Sequence, residues 1–403
     1  MVKQSDIEKI AAEQKEALLA GNVGLPREAL ASLPDLPSHA LIVSGIRRCG
    51  KSTLLGQYFR RQASFFYFNF EDTRLYDFTV QDFALLNDVI RRSGADALFF
   101  DEIQNVRGWE IFVRQMLNAH YKVAITGSNA TLLSRELGTK LTGRHITREL
   151  FPFSYGEFVA FTKQAPDVDS LQDYLSRGGF PEFLATGHAD VLKFLIDDIV
   201  YRDIVVRYGI RDASSVRRLL GYLFANASRL VSPSKLTGVA GVKSATTVLD
   251  YFSFFEDSYL IYLVPRFSYS AKAQSLAPKK LYVCDTGLIR AGTVNLMEDK
   301  GHLLENLVFM RLRRRGKQMF YFADERGECD FVEVEEDGSH ALIQVCWELT
   351  SDNEEREVEG LVSATRFFKR KRGVIVTAAQ QDRILREGVA IDVIPAWKWL
   401  TKG

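Results

Sequence analysis

Residues 45–53 read GIRRCGKST and follow directly on the apolar run Ala40–Val43. The stretch fits G-x-x-x-x-G-K-[ST], with Gly45, Gly50, Lys51 and Ser52 in the required places. That spacing asks for a strand, a tight turn and a helix in fixed order. The glycines let the backbone curl until successive N–H groups point inward, and the helix starting near Lys51 turns its positive end to the same point. The result is a cradle for phosphate oxygens. Lys51 is placed to reach β- and γ-phosphates, and the Ser52 hydroxyl to ligate Mg²⁺. The nucleotide-binding candidates are Gly45, Arg48, Cys49, Gly50, Lys51, Ser52 and Thr53. Leu54, Leu55, Tyr58 and Phe59 then recur at the 3.6-residue spacing of a helix packed on a sheet. A plain strand–turn–helix corner carries the same glycines, so the reading needs a second signal.

That signal lies about fifty residues on. Ala97–Glu102 reads ALFFDE, a buried parallel-strand pattern running into two carboxylates at the strand end where open α/β sheets bind ligands. Asp101 is the metal candidate together with Ser52, and Glu102 the group that orients an attacking water. A third strand, Tyr121–Thr126, runs into Gly127, Ser128 and Asn129. Polar side chains there are placed to touch a γ-phosphate or the water, the position called sensor 1 in AAA-type ATPases. Three signals in order, each at a strand end, read as a nucleotide site.

At 403 residues, 46% of them hydrophobic, the chain has room for two or three domains with ordinary cores. A net charge of +1 gives no global pull towards an acidic partner. Cys49, Cys284, Cys329 and Cys346 are scattered without C-x-x-C spacing, which speaks against structural zinc and a disulfide framework. The N-terminus is a charge-mixed amphipathic helix, and no long apolar run appears, so a cytoplasmic protein with no membrane span is expected.

The pattern divides the chain into an N-terminal helix and linker (1–37), an alternating strand–helix core with a three-layer parallel sheet (38–153) and a small helical lid (154–210). In 211–295, three helices with Ser at plausible N-caps precede two strands, the order of a winged helix. Its DNA-binding reading sets Lys243, Ser244, Thr246 and Thr247 in a major groove and Lys272, Lys279 and Lys280 on phosphate. A protein–protein module has the same order.

Residues 296–403 form a separate α/β unit with a helix carrying Glu305, a strand, and a hairpin turning at Asp337-Gly338. A three-residue loop with Gly338 at positive φ sets Asp330 opposite Gln344, with Cys346 on the same face; a two-residue loop separates them. This order resembles the PD-(D/E)XK nuclease fold. Such sites use carboxylates to hold a metal and a lysine to steady developing charge. Glu305 and Asp330 match, whereas Gln344 replaces the second acid and Cys346 the lysine, so a degenerate, non-cutting site is expected. The runs RLRRRGK (Arg311–Lys317) and RFFKRKR (Arg366–Arg372) are dense positive charge available to DNA.

GIRRCGKST, FFDEIQNVRGWE, ITGSNA, LTGRHITRELFPFSYGEF and RGGFPEF together resemble the prokaryotic AAA-type P-loop ATPases that carry a C-terminal domain of unknown function. The resemblance covers nearly the whole chain and implies ATP hydrolysis with Mg²⁺. Carried over by position, Lys51, Glu102 and Ser128 are catalytic, and Arg144 is a candidate arginine finger acting across a homo-oligomer. Two uses of the ATPase stand open: a machine that handles DNA, or a slow nucleotide-dependent switch whose C-terminal half binds protein partners.

Overall fold

In a computed structural model the chain forms two compact units, Met1–Phe151 with Asp257–Tyr259, and Pro152–Glu256 with Leu260–Gly403. The structure describes residues 2–34, 37–62, 64–128, 141, 143–293 and 299–401. Asn129 lies outside them.

The first unit opens with α1 (Gln4–Ala20) and then alternates: β1 (Ala40–Ser44), α2 (Lys51–Phe59), β2 (Phe65–Asn69), α3 (Phe83–Ser93), β3 (Ala97–Asp101), α4 (Trp109–Asn118), β4 (Lys122–Gly127) and β5 (His145–Glu149). The sheet runs β2-β3-β4-β1-β5, and every pairing is parallel. The central strands are buried along their whole length, which is why they read as continuous apolar runs rather than as alternation. The connection from β1 leaves on the β4 side, while the chain after β4 reaches β5 beyond β1. Such a reversal opens a crevice at the C-terminal strand ends. Ile7, Ile10 and Ala11 of α1 join the core with Phe68, Phe100 and Phe112, so the N-terminal helix packs into this unit. β5 was not legible as a strand: its residues HITRE alternate little and lie at the sheet edge, half-buried.

In the second unit, the helices expected over 154–210 are α5 (Tyr155–Thr162), α6 (Val168–Arg177), α7 (Pro181–Thr186) and α8 (Asp190–Asp198), followed by a wide helical turn, Ile199–Val206. The RGGFPE stretch joins them to the rest. Asp285 is buried and accepts hydrogen bonds from Gly179 N at 2.7 Å and Gly287 N at 2.8 Å. A Cβ on Gly178 would lie 2.0 Å from Asp285 Oδ1, and one on Gly179 2.3 Å from the Phe153 carbonyl. Only glycine fits either place.

Next come α9 (Ala213–Ala225), β6 (Leu230–Val231), α10 (Thr237–Ala240), α11 (Ala245–Asp257), β7 (Ile261–Val264), α12 (Ala271–Leu276), β8 (Lys279–Val283) and α13 (Thr286–Gly292). The strands form an antiparallel sheet ordered β6-β8-β7. The remainder is α14 (Lys300–Arg313), β9 (Met319–Ala323), β10 (Glu328–Val334), β11 (His340–Val345), α15 (Glu354–Phe367), β12 (Arg372–Thr377), β13 (Asp382–Arg386), β14 (Val389–Pro395) and α16 (Ala396–Thr401). Its mixed sheet runs β13-β14-β12-β11-β10-β9. The β10–β11 register pairs Phe331 with Ile343, and Gly338 has φ 75°. The turn is therefore the three-residue loop, and the register sets Asp330 opposite Gln344. No helix among the described residues is long and apolar enough to cross a membrane.

Candidate nucleotide site and a buried charge cluster

β1 ends at Ser44 and the chain turns through Gly45 (φ 144°) and Gly50 (φ 99°) into α2. At Gly45 a Cβ would stand 2.1 Å from the Leu150 carbonyl, because β5 closes on the loop from one side through Leu150 N to Ser44 O at 2.7 Å. The Lys51 ammonium lies inside the loop, donating to the Gly45 and Ile46 carbonyls at 3.0 Å each. Cys49 turns inward, its thiol on the Leu150 carbonyl at 3.3 Å, so it meets a bound anion only through its backbone. Arg48 and Thr53 are exposed at the loop and the helix start.

A residue in the linker holds the loop from behind. Arg27 is buried, and its two terminal nitrogens donate to the Cys49 carbonyl at 2.8 Å and the Phe151 carbonyl at 2.7 Å. Nothing in the linker's composition marks it.

The carboxylates at the end of β3 face this loop. Ser52 Oγ donates to Asp101 Oδ1 at 3.0 Å, Thr126 Oγ1 donates to the same oxygen, and Tyr67 OH donates to Oδ2 at 3.1 Å. Burial lifts the Asp101 carboxyl above its ordinary value, while the three hydroxyls and Lys51 pull the other way. The sequence marks Tyr67 and Thr126 only as strand residues. The parallel register is the signal that could have found Tyr67: it sets Asn69 beside Asp101, and Tyr67 points to the same face two residues earlier.

Glu102 has left-handed backbone, φ 51° and ψ 38°. A non-glycine residue pays for that conformation with roughly 1 kcal/mol or more, a strain typical of functional positions. The turn aims its carboxylate across the strand ends, where Oε2 accepts from Ser128 Oγ at 3.2 Å and from Gln104 Nε2. Burial raises its pKa, opposed by Lys51 and reinforced by Asp101 and Glu71. Lys51, Ser52, Asp101, Glu102 and Ser128 are thus brought together.

Arg144 is not. Its carbonyl accepts from Ala40 N at the start of β1, and its guanidinium donates to Ser38 O at 3.2 Å and Asn118 Oδ1 at 2.7 Å. That is the opposite end of the sheet, about 13 Å from the loop along a five-residue strand.

The second unit holds a different cluster, on the wall of a cleft of about 960 Å³. Lys280 was expected on phosphate. It is instead buried, with Nζ 2.6 Å from Asp330 Oδ1, 3.0 Å from Glu305 Oε1 and 2.5 Å from Glu328 Oε1. Tyr282 OH donates to Glu305 Oε1 at 2.7 Å. Strand parity sets Lys280 on the same face as Tyr282 and the half-buried Lys279 on the other, and that parity was the available signal. Burial pulls the lysine pKa down, but Asp330, Glu305 and Glu328 outweigh it and hold the ammonium charged. Burial and Glu305 push Asp330 up to about 7.

Gln344 is occupied on both sides, accepting from Asp330 N at 3.0 Å and donating to Glu357 Oε2 at 2.6 Å. Cys346 lines the same cleft, its thiol pushed up to about 12 by burial. Lys280 thus brings a cation from β8 to the Glu305 and Asp330 carboxylates. Among the described residues, no three or more His, Cys, Asp or Glu side chains are arranged to hold a metal ion.

Of the two basic runs, Arg311–Lys317 is largely folded in: Arg314 donates to Pro152 O at 2.7 Å, Arg315 pairs with Glu333 at 3.1 Å, and Lys317 pairs with Glu335. The exposed face of α11 carries Thr246, Leu249, Asp250 and Ser253, with Lys243 and Ser244 just before it.

Residues 37–159 match the family described as AAA domain, and residues 168–298 the family described as Domain of unknown function (DUF8612). Uncharacterized protein MJ1544 of Methanocaldococcus jannaschii is 33% identical over 396 residues, covering 90% of this chain and 88% of its own. An uncharacterized protein of Haemophilus influenzae is 29% identical over 379 residues, covering 88% and 93%. A Walker-type ATPase of Pyrococcus abyssi superposes with a TM-score of 0.44 at 15% identity, over 72% of this chain and 96% of that one. With a third of its residues shared along almost the whole of both chains, the protein belongs to one family with the M. jannaschii protein and carries an AAA domain followed by a domain of unknown function.

Proposed function

We propose that the first unit binds and hydrolyses ATP and that its nucleotide state governs the second unit, which engages DNA. One observation carries the reading: Ser52, Asp101, Glu102 and Ser128 converge beside a loop that already holds the Lys51 ammonium. The loop's N–H groups and Lys51 bind the β- and γ-phosphates. Glu102, aimed by its left-handed turn and held by Ser128 and Gln104, orients water for in-line attack on the γ-phosphorus and takes up its proton.

Adjacent hydroxyl and carboxylate oxygens, Ser52 Oγ and Asp101 Oδ1, are the hard donors that suit Mg²⁺ and would hold it. That ion, when bound, would offset phosphate charge. Lys51 shares the task and stays desolvated, where its charge acts at low dielectric.

The antiparallel β6-β8-β7 sheet, with β6 between α9 and α10 and with β7 and β8 after α11, supports the winged-helix reading, and the α14–β9–β10–β11 order supports the nuclease-like one. Gln344 and Cys346 in place of acid and lysine favour a non-cutting domain. A second reading, a slow switch with protein partners, is favoured by the exposed face of α11, where Leu249 is 53% exposed beside Asp250. That is poor chemistry for a DNA groove.

Steady-state ATPase activity with and without duplex and single-stranded DNA, at two salt concentrations, tests the proposal. Lys51→Ala should abolish binding, and Glu102→Gln should keep binding while turnover falls by roughly 100-fold or more. Stimulation by DNA that fades with salt supports the DNA reading. Hydrolysis unmoved by any DNA supports the switch.

A further inference from the structure

We propose that the second unit carries a stacking platform for single-stranded nucleic acid, formed by Tyr269 on Phe367 and bordered by the basic run Arg366–Arg372. The proposal rests on the reading that this unit engages nucleic acid, and it names the form of nucleic acid and the residues.

Tyr269 is 84% exposed, yet its ring is not loose. It stacks on Phe367 with centroids 5.8 Å apart and planes at 27°, and meets Phe267 edge-on at 5.2 Å. Phe367, itself 44% exposed, packs against Phe322 and Phe368 at 4.9 Å each. Phe322 and Phe368 belong to the core between α15 and the mixed sheet. An aromatic ladder thus runs from the core to the surface and ends in a ring whose outer face meets water. Single exposed apolar residues are ordinary, but a stacked, anchored pair beside a charge cluster is a different object.

The charge is of one dominant sign. Arg366, Lys369, Arg370, Lys371 and Arg372 are all exposed at the end of α15 and the start of β12. Lys272 is exposed three residues beyond Tyr269. Against these stand Glu387, which pairs with Arg366, and Asp337, whose carboxyl feels Arg370. A pocket of about 240 Å³ next to Arg366 adds Arg326 and Arg386, with Glu359 and Glu387 on its wall.

A flat exposed ring amid cations fits a ligand that presents flat apolar faces and regularly spaced anions together. An unpaired base offers its face to the ring while its phosphates meet the lysines and arginines. A duplex keeps its base faces stacked inside and can use only the cations. The surface therefore selects single strands, and because every base has a π-face it does so with little sequence preference.

The test is fluorescence anisotropy of the full chain with a labelled oligothymidylate, an oligouridylate and a duplex at about 50 and 200 mM salt. Single strands should bind more tightly than duplex, and comparison of the two single strands shows whether DNA or RNA is preferred. Tyr269→Ala should weaken single-strand binding roughly tenfold, with Tyr269→Phe restoring it and duplex binding unmoved. Lys369→Ala with Lys371→Ala should weaken every ligand and flatten the single-strand salt slope by about 0.7 per cation. Tyr269 is so exposed that its loss should not unfold the chain, which circular dichroism checks. Equal binding by Tyr269→Ala and the parent chain, or preference for duplex, overturns the platform while leaving the DNA reading in place. Binding of no nucleic acid at all overturns both, with ATP hydrolysis measured separately.

Discussion

The Lys280 ammonium lies 2.6 Å from the Asp330 carboxylate, inside a cluster that also holds Glu305 and Glu328. The lysine comes from β8 of the small antiparallel sheet, and the carboxylates from α14 and β10. One ion cluster therefore ties the small antiparallel sheet to α14 and to the mixed sheet. Removing one member of a buried ion cluster strands the others without a countercharge, which costs about 3–5 kcal/mol. Lys280→Ala should lower stability by that much, read as a shift in the urea midpoint. Neutralising the set together, as Lys280→Met with Glu305→Gln and Asp330→Asn, should recover most of the loss. A Lys280→Ala protein within 1 kcal/mol of the parent would show that the charges are solvated after all.

Arg27 makes a prediction at a distance from the phosphate. Its fork bridges Cys49 O and Phe151 O, so Arg27→Ala leaves two carbonyls behind the loop without that donor, at about 1–3 kcal/mol for each buried group. The loop should then lose its preset curvature. Calorimetry should find ATP affinity down by about tenfold although Arg27 lies behind the loop, and Arg27→Lys should not restore it, because a single ammonium cannot reproduce the planar fork.

What the sequence disclosed and what it hid follow one rule. The convergence of the Gly45–Ser52 loop, Asp101, Glu102 and Ser128 was legible because each lies at the end of an apolar strand, in a pattern of residue types at short spacing. The β10–β11 register was only half legible: Asp337-Gly338 marks the turn, but either loop length suits it, and the pairing of Phe331 with Ile343 decides between them. Lys280 and Glu305 are twenty-five positions apart, and Lys280 and Asp330 fifty, in elements whose packing no local pattern states. Arg27 sits in a linker that looks like any other, and Tyr67 looks like one more aromatic in FFYFNF. Residues that act through their neighbours in space leave no spacing to read.

Asp285 gives the fold a pH dependence. Burial pushes its carboxyl up to about 6, against the hydrogen bonds from Gly179, Gly287 and Leu288 and the charge of Arg314. In the unfolded chain it titrates near 4, so the folded state holds the proton more tightly. Stability from this group is greatest below pH 4, falls as pH rises towards 6, and is level above. The loss is on the order of 3 kcal/mol. Thermal unfolding of the second unit should therefore shift upward as pH falls from 7 to about 5, and the slope should flatten in Asp285→Asn. A slope unchanged by that substitution would assign the effect to another group.

Arg144 divides the single chain from an assembly. Its guanidinium is fixed on Ser38 and Asn118, at the sheet end remote from Lys51, so within one chain it has no path to a bound phosphate. Any catalytic part must be played towards a second copy. Arg144→Ala should then leave ATP affinity within about twofold, since binding uses only the loop, Lys51, Ser52 and Asp101. Hydrolysis per chain should rise with protein concentration in the parent and stay flat in Arg144→Ala, because an arginine finger supplied in trans raises turnover by orders of magnitude. Mixing Arg144→Ala with Lys51→Ala supplies the decisive readout. One variant keeps the site and the other keeps the finger, so activity absent from either alone should reappear in the mixture. If the mixture stays inactive while the parent's turnover is independent of concentration, Arg144 serves only to tie the start of β5 to the end of α4.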